Sequence, residues 1–127
     1  ETVIGQEPAY GPAYFSLALL LAEQGRLQEA VQRFREAADL MPGHARVRYN
    51  LAISYQKLGQ PVQAEQRYLE AIEIAPEQPD YRYGICTLYL QQNQPQKALS
   101  HAQKFAELQP QSRRAQQLLQ LVKKRLE

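Results

Sequence analysis

The chain has 127 residues, the length of one ordinary domain, with 44% hydrophobic and 22% charged residues, a soluble globular composition. No apolar run reaches the roughly 18 to 20 residues of a membrane span, and the apolar window Ala13 to Ala22 lacks the basic start and cleavage pattern of a signal peptide. A net charge of +2 is too small to suggest a nucleic-acid binder, and the single Cys86 excludes an intramolecular disulfide framework.

Residues 1–10 hold the breakers Gly5 and Pro8 and no sustained helical pattern, so they read as a tail or linker. A first helix is expected over Gly11 to Gln24, ended by Gly25, because a residue without Cβ adopts the left-handed conformation of a helix C-terminal cap at little cost. A second follows over Leu27 to Met41, where Leu27, Ala30, Val31, Phe34, Ala37, Ala38 and Met41 form one apolar stripe at helical spacing. The plan then repeats. Ala45 to Leu58 and Pro61 to Ala75 form a second pair split by Gly59. Pro79 to Gln92 and Pro95 to Gln109 form a third split by Asn93, the next-best residue for a left-handed cap. Ser112 can cap a last helix over Arg113 to Leu126. Loops of two to four residues make successive helices antiparallel neighbours.

The repetition has a strict period: Pro8, Pro42, Pro76 and Pro110 are each 34 residues apart, and such a period marks a repeat array. Aligned on it, the units read YFSLALLLAEQGRLQEAVQRFREAADLMP, RYNLAISYQKLGQPVQAEQRYLEAIEIAP and RYGICTLYLQQNQPQKALSHAQKFAELQP. Large residues recur at Leu17, Leu51 and Ile85, at Tyr55 and Tyr89, and at Phe34 and Tyr68. Small ones recur at Ala18, Ala52 and Cys86, at Ala30, Ala64 and Ala98, and at Ala37 and Ala71. Small residues let helices approach and large ones fill the space beside them. This pattern resembles the tetratricopeptide repeat family over residues 11 to 110.

The resemblance implies an all-α fold: an α-solenoid, a right-handed superhelix of three antiparallel helix pairs plus a C-terminal capping helix. Residues 11–127 would be a single domain with repeats 11–44, 45–78 and 79–112 and the capping helix 113–126. Two departures stand out. The aromatic that often opens the first helix is Tyr14 in the first unit but Arg48 and Arg82 in the others. In the third unit Ala102 and Phe105 exchange the large and small places of the second helix, which conserves volume. In the capping helix, Ala115, Leu119, Val122 and Leu126 are expected to pack inward, with Gln116, Gln120 and Lys123 facing outward.

Charge and apolar surface are unevenly placed. Residues 111–127 carry five Lys/Arg against one Asp/Glu, while residues 1–110 carry ten against twelve, so only the C-terminal end is basic, and Lys123, Lys124 and Arg125 complement the dipole of the last helix. The first helix is apolar almost all round, and a helix of that kind is normally buried on every side. Its outer face therefore calls for cover. Pro8 sits where an earlier unit would close, so the expectation is a piece of a longer repeat protein, with a homodimer through the first helix as the alternative.

Chemistry finds little footing. His44 and His101 have no acidic neighbour at metal-face spacing, HExxH, CxxC and Gly-rich phosphate loops are absent, and Cys86 holds a small-residue packing place. The expectation is a non-enzyme without cofactor or metal. In the family the first helix of each pair lines the concave side, which assigns a peptide-binding groove to Phe15, Leu19, Arg46, Tyr49, Asn50, Ile53, Tyr83, Thr87 and Leu90. Glu23 and Lys57 stand beside them, and Leu118 and Leu121 would extend the row. None of these residues is expected to have a packing duty. Asn50 matches an asparagine that holds a bound peptide's backbone in the family. The cations with which some members grip a C-terminal carboxylate are replaced by Phe15, Leu19, Asp80 and Gly84. The function read from this is a protein-interaction module for an extended or helical peptide, with no nucleic acid as partner. Homo-oligomerisation through the first helix, or service as an accessory domain of a larger enzyme, are the alternatives.

Overall fold

The computed structural model describes residues 10–127; positions 1–9 of the expected tail, Pro8 among them, lie outside the described residues. Among them are seven helices and no strand: α1 Gly11–Glu23, α2 Leu27–Leu40, α3 Ala45–Lys57, α4 Pro61–Ile74, α5 Pro79–Gln91, α6 Pro95–Leu108 and α7 Arg113–Arg125. Each begins where the sequence places it and ends one residue earlier, at the residue before the cap. The fold is an all-α helical-repeat solenoid.

Its local signals repeat as faithfully as its sequence. Among the described residues positive φ occurs at Gly25 (77°), Gly59 (74°) and Asn93 (57°), the three places where a first helix turns into a second. At each turn the same two backbone bonds form. Arg26, Gln60 and Gln94 donate to the carbonyls of Leu21, Tyr55 and Tyr89 at 2.9, 2.9 and 2.8 Å, and Gly25, Gly59 and Asn93 donate to Ala22, Gln56 and Leu90. This is the Schellman cap, which satisfies carbonyls that a helix end leaves open. Pairs are joined by another recurring turn, in which His44, Gln78 and Ser112 donate to Met41, Ala75 and Gln109. Pro42, Pro76 and Pro110 occupy its second position, where the ring's fixed φ suits the turn.

The chain packs into two compact units, one ending at Ile74 and the other beginning at Ala75. In the first, α1 packs on α2, α2 on α3 and α3 on α4, and α1 also touches α3. Ala18, Ala30, Ala37, Ala52, Ala64 and Ala71 are wholly buried at the crossings, with Phe34, Leu51 and Tyr68 filling the space beside them. In the second unit α5 packs on α6 and α6 on α7, with Cys86, Ala98 and Ala102 as the small residues and Ile85 and Phe105 as the large ones. The exchange of Ala102 and Phe105 thus leaves both buried.

The two arginines that replace the opening aromatic take up a different duty. Tyr14 is buried, whereas Arg48 donates to Glu70 Oε1 of α4 at 2.9 Å and to the Pro42 carbonyl at 3.2 Å. Arg82 reaches His101 of α6, its Nη1 lying 3.2 Å from the ring Nδ1. Each ties its first helix to the second by polar contact.

The last helix departs from expectation. Ser112 Oγ caps it, accepting from the Ala115 N–H at 3.1 Å, but its inward stripe is Ala115, Leu118 and Val122. Leu119 is half-buried and Leu126, the residue that caps the helix end, is exposed. Steps of three and of four both fit a 3.6-residue turn, and the surface of α6 selects the first. Leu118 is therefore core, and Leu121 alone of the proposed extension is open.

Candidate functional site

In the first unit, α1 and α3 border a cleft of about 280 Å³ lined by Leu19, Ala22, Glu23, Leu27, Phe34, Asn50, Ile53, Ser54 and Lys57. Of the residues assigned from sequence it brings together Leu19, Asn50 and Ile53. Leu19 is exposed and the other two half-buried, so the cleft has an apolar floor beside one amide. Glu23 and Lys57 line it as a carboxylate and an ammonium. Ser54, unremarked in the sequence, is buried there, its hydroxyl donating to the Asn50 carbonyl at 3.1 Å.

Asn50 is held by its own helix: its Nδ2 donates to the Arg46 carbonyl at 2.9 Å. That bond fixes the side chain and leaves its carbonyl oxygen as the better-presented group toward a ligand. Arg46 is exposed, and its guanidinium lies 5.5 Å from the Tyr49 ring centre, a cation–π distance.

The aromatic residues differ from expectation in one respect, because each has a packing duty. Phe15 meets Phe34 with ring centres 6.0 Å apart, Tyr49 meets Tyr68 at 6.2 Å, and Tyr83 meets Phe105 at 5.7 Å, all tilted. Phe15 also meets His44 at 5.5 Å. A ring at the edge of a helix crossing has two faces, and one rests on the second helix of its pair while the residue stays half-buried.

In the second unit, Tyr83, Thr87 and Leu90 lie along α5, all half-buried. Thr87 Oγ1 donates to the Gly84 carbonyl at 2.6 Å. Arg114 of α7 lies over the Tyr83 ring, its Cζ 3.6 Å from the ring centre. By charge count Arg114 is one of five cations in residues 111–127, yet Arg46, Asp80 and Arg114 are spaced by the same 34 residues as the prolines. At the other end Arg125 Nη2 donates to the Leu90 carbonyl at 3.3 Å and to Asn93 Oδ1 at 3.2 Å.

Among the described residues no group of three or more His, Cys, Asp or Glu side chains could hold a metal ion, and no helix is long and apolar enough to cross a membrane. Cys86 is buried with its Sγ 3.5 Å from the Ala98 carbonyl oxygen, and burial pushes its thiol up to about 12, against a small opposing pull from Arg82.

Comparison with known proteins gives a consistent picture. Residues 21–81 match the family described as tetratricopeptide repeat. No curated protein matches the chain. Among solved structures, the chain is similar to the first such domain of Spaghetti (RPAP3), described as bound to the HSP90 peptide SRMEEVD, with 17% identity, 91% of this chain and 92% of that one covered, and a TM-score of 0.84. It is similar to the Yersinia enterocolitica type III secretion chaperone SycD, described as in complex with a peptide of the translocator YopD (20%, 91% and 94%, 0.83). It is also similar to the MamA protein (19%, 97% and 67%, 0.90).

Proposed function

Since the chain is a tetratricopeptide-repeat protein, we propose that it is a non-enzymatic interaction module that takes a peptide segment of a protein partner on its first helices. The carrying observation is the α1–α3 cleft, in which Leu19 and Ile53 supply apolar area next to a fixed Asn50 amide. An apolar recess with a few placed polar groups is the usual form of a peptide seat. That two proteins of like fold are described as bound to peptides supports the reading. In the first unit Phe15, Leu19, Tyr49 and Ile53 bury apolar side chains of the partner, while Asn50 and Arg46 fix the direction of its backbone. In the second unit Tyr83, Thr87 and Leu90 make contacts of the same kind.

The test is a titration of the isotope-labelled chain with two synthetic peptide sets, one extended and one helix-forming, followed by amide resonances. Shifts are expected at Leu19, Tyr49, Asn50 and Ile53. Ile53→Ala is expected to weaken binding by roughly 1 to 3 kcal/mol with an unchanged helical spectrum. Shifts confined to Val62 and Leu69, which are exposed on α4, would reject the assignment.

A second reading is favoured by one comparison along the period. Leu20 is 49% exposed, while Ser54 and Leu88, at the same place in the next two repeats, are 2% and 3% exposed. Leu17 is half-buried where Leu51 and Ile85 are buried. Leu17 also lines, with Leu21, Arg26 and Arg33, a crevice of about 490 Å³. The outer face of α1 thus has the character of a stacking face, and we propose that it joins the chain to a second copy in an assembly.

A further inference from the structure

Arg114 is placed where helix stability gives no reason for a cation. It stands in the first turn of α7, a turn without an acidic residue, and the positive end of a helix dipole disfavours positive charge. Asp80, the residue 34 positions earlier, sits in the first turn of α5 with the favourable sign. Arg114 is exposed, makes no ion pair with any described residue, and has its guanidinium flat enough on Tyr83 to bring Cζ within 3.6 Å of the ring centre. Stacking holds a guanidinium by its face and leaves its N–H groups directed outward in the plane, the fork that binds a carboxylate in two parallel hydrogen bonds.

Two turns along the same side of α7 stands an exposed apolar side chain. Arg114 and Leu121 are seven residues apart on α7 and so point to the same side of the helix, and Leu121 is 45% exposed. Arg125 continues the same stripe and is bonded to the Leu90 carbonyl and Asn93 of α5. Since Arg114 meets Tyr83 at one end of α5 and Arg125 meets Leu90 at the other, Leu121 lies alongside the stretch that carries Thr87. Within the second unit the order along this strip is therefore cation on aromatic, then apolar side chain, then a cation already engaged.

We infer that Arg114, held on Tyr83, selects partners carrying an internal acidic side chain, with an apolar side chain seated at Leu121 and Thr87. This rests on the peptide-binding reading above and specifies its chemistry in the second unit. Seven helical residues rise about 10 Å, which an extended peptide covers in about three residues. The matching segment has Glu or Asp three positions from Leu, Ile or Phe. A carboxylate at the chain end is not required, because the fork reads a side chain.

The test uses four synthetic peptide sets with amidated C-termini in a Ser/Ala background: Glu with Leu three positions away, Gln with the same Leu, Glu with Ser, and Gln with Ser. Binding is read from the amide resonances of Thr87, Leu90 and Leu121. The Glu–Leu set is expected to bind the chain roughly tenfold or more tightly than the Gln–Leu set. Arg114→Gln is expected to abolish that preference, and Arg114→Lys to keep only part of it, since a lysine offers charge without the fork. Equal binding of the Glu–Leu and Gln–Leu sets overturns the carboxylate assignment and leaves the peptide reading standing. A preference that survives in Arg114→Gln, together with a loss of stability, overturns it too by reducing Arg114 to a cover for Tyr83. Absence of binding by every set, here and in the broader titration, removes both readings.

Discussion

Tyr68 Oη donates to Gln56 Oε1 at 2.6 Å, joining α4 to α3 inside one helix pair; the corresponding residues of the first pair, Phe34 and Ala22, have neither group. Both members of the contact change together from one repeat to the next. Burial, with a smaller push from Tyr49, raises the Tyr68 phenol far above its usual value, so the hydroxyl remains a donor through ordinary pH. Tyr68→Phe is expected to lose about 1 kcal/mol of stability, and markedly less when Gln56 is already Ala, since the cost arises from the bond and the acceptor left behind. A double-mutant cycle by urea denaturation should give a coupling of roughly 0.5 to 1.5 kcal/mol. Additive effects would show that the bond contributes nothing.

Cys86 occupies a crossing place that Ala18 and Ala52 hold in the other repeats, and all three are wholly buried. With its thiol pushed up to about 12 by burial, it is protonated at neutral pH and closed to reagents. A disulfide-exchange reagent is expected to label it at the rate of global unfolding in native buffer and at once in guanidinium. Cys86→Ala should change stability by less than about 1 kcal/mol, because it restores the residue of the other crossings. Cys86→Leu should cost about 1 to 3 kcal/mol by overpacking. Fast labelling of the folded chain is the result that contradicts this placement.

How far the sequence carried these conclusions depends on how many solutions the physics allowed at each residue. Gly25, Gly59 and Asn93 were legible as left-handed caps because few residues tolerate positive φ. The small residues at Ala30, Ala64 and Ala98 were legible because a close helix crossing admits nothing larger. Leu118 was misread because two apolar stripes fit α7 equally well and only contact with α6 distinguishes them. Phe15, Tyr49 and Tyr83 were read as unencumbered because periodicity reports which way a side chain points. It does not report that a broad ring also leans on Phe34, Tyr68 or Phe105. Arg114 was hidden by charge counting, which records that a helix is basic but not that one guanidinium lies on Tyr83.

His101 makes stability depend on pH in a calculable direction. Its Nδ1 lies 3.2 Å from Arg82 Nη1, and its ring stacks on Tyr89 with centres 6.1 Å apart. A guanidinium offers only donors, so Nδ1 accepts and the proton of the neutral ring sits on Nε2. Burial first, and the Arg82 charge second, lower the His101 pKa below its ordinary 6.5. The unfolded chain therefore binds a proton more readily, and stability falls as pH drops through 6.5 toward the lowered value, then levels off. His101→Gln, whose carbonyl can still accept from Arg82, is expected to remove this dependence. Denaturant midpoints across the window, compared between the chain and the variant, measure it. Equal slopes would mean that His101 takes its proton in the folded state as easily as in the unfolded one.

Leu20 offers the sharpest test of the assembly surface. It is about half exposed at a place where the second repeat has buried Ser54 and the third buried Leu88. A surface leucine without a partner contributes little to folding, so Leu20→Ser should alter the stability of the isolated chain by no more than about 0.5 kcal/mol. If α1 receives a second copy, the same change removes buried apolar area from both sides of a symmetric contact and counts twice. The chain is then expected to sediment as a concentration-dependent mixture that Leu20→Ser shifts toward monomer. Leu69→Ser, at a leucine 41% exposed on α4, should leave the mixture unchanged. Sedimentation as monomer at every concentration would exclude a second copy as the cover of this face.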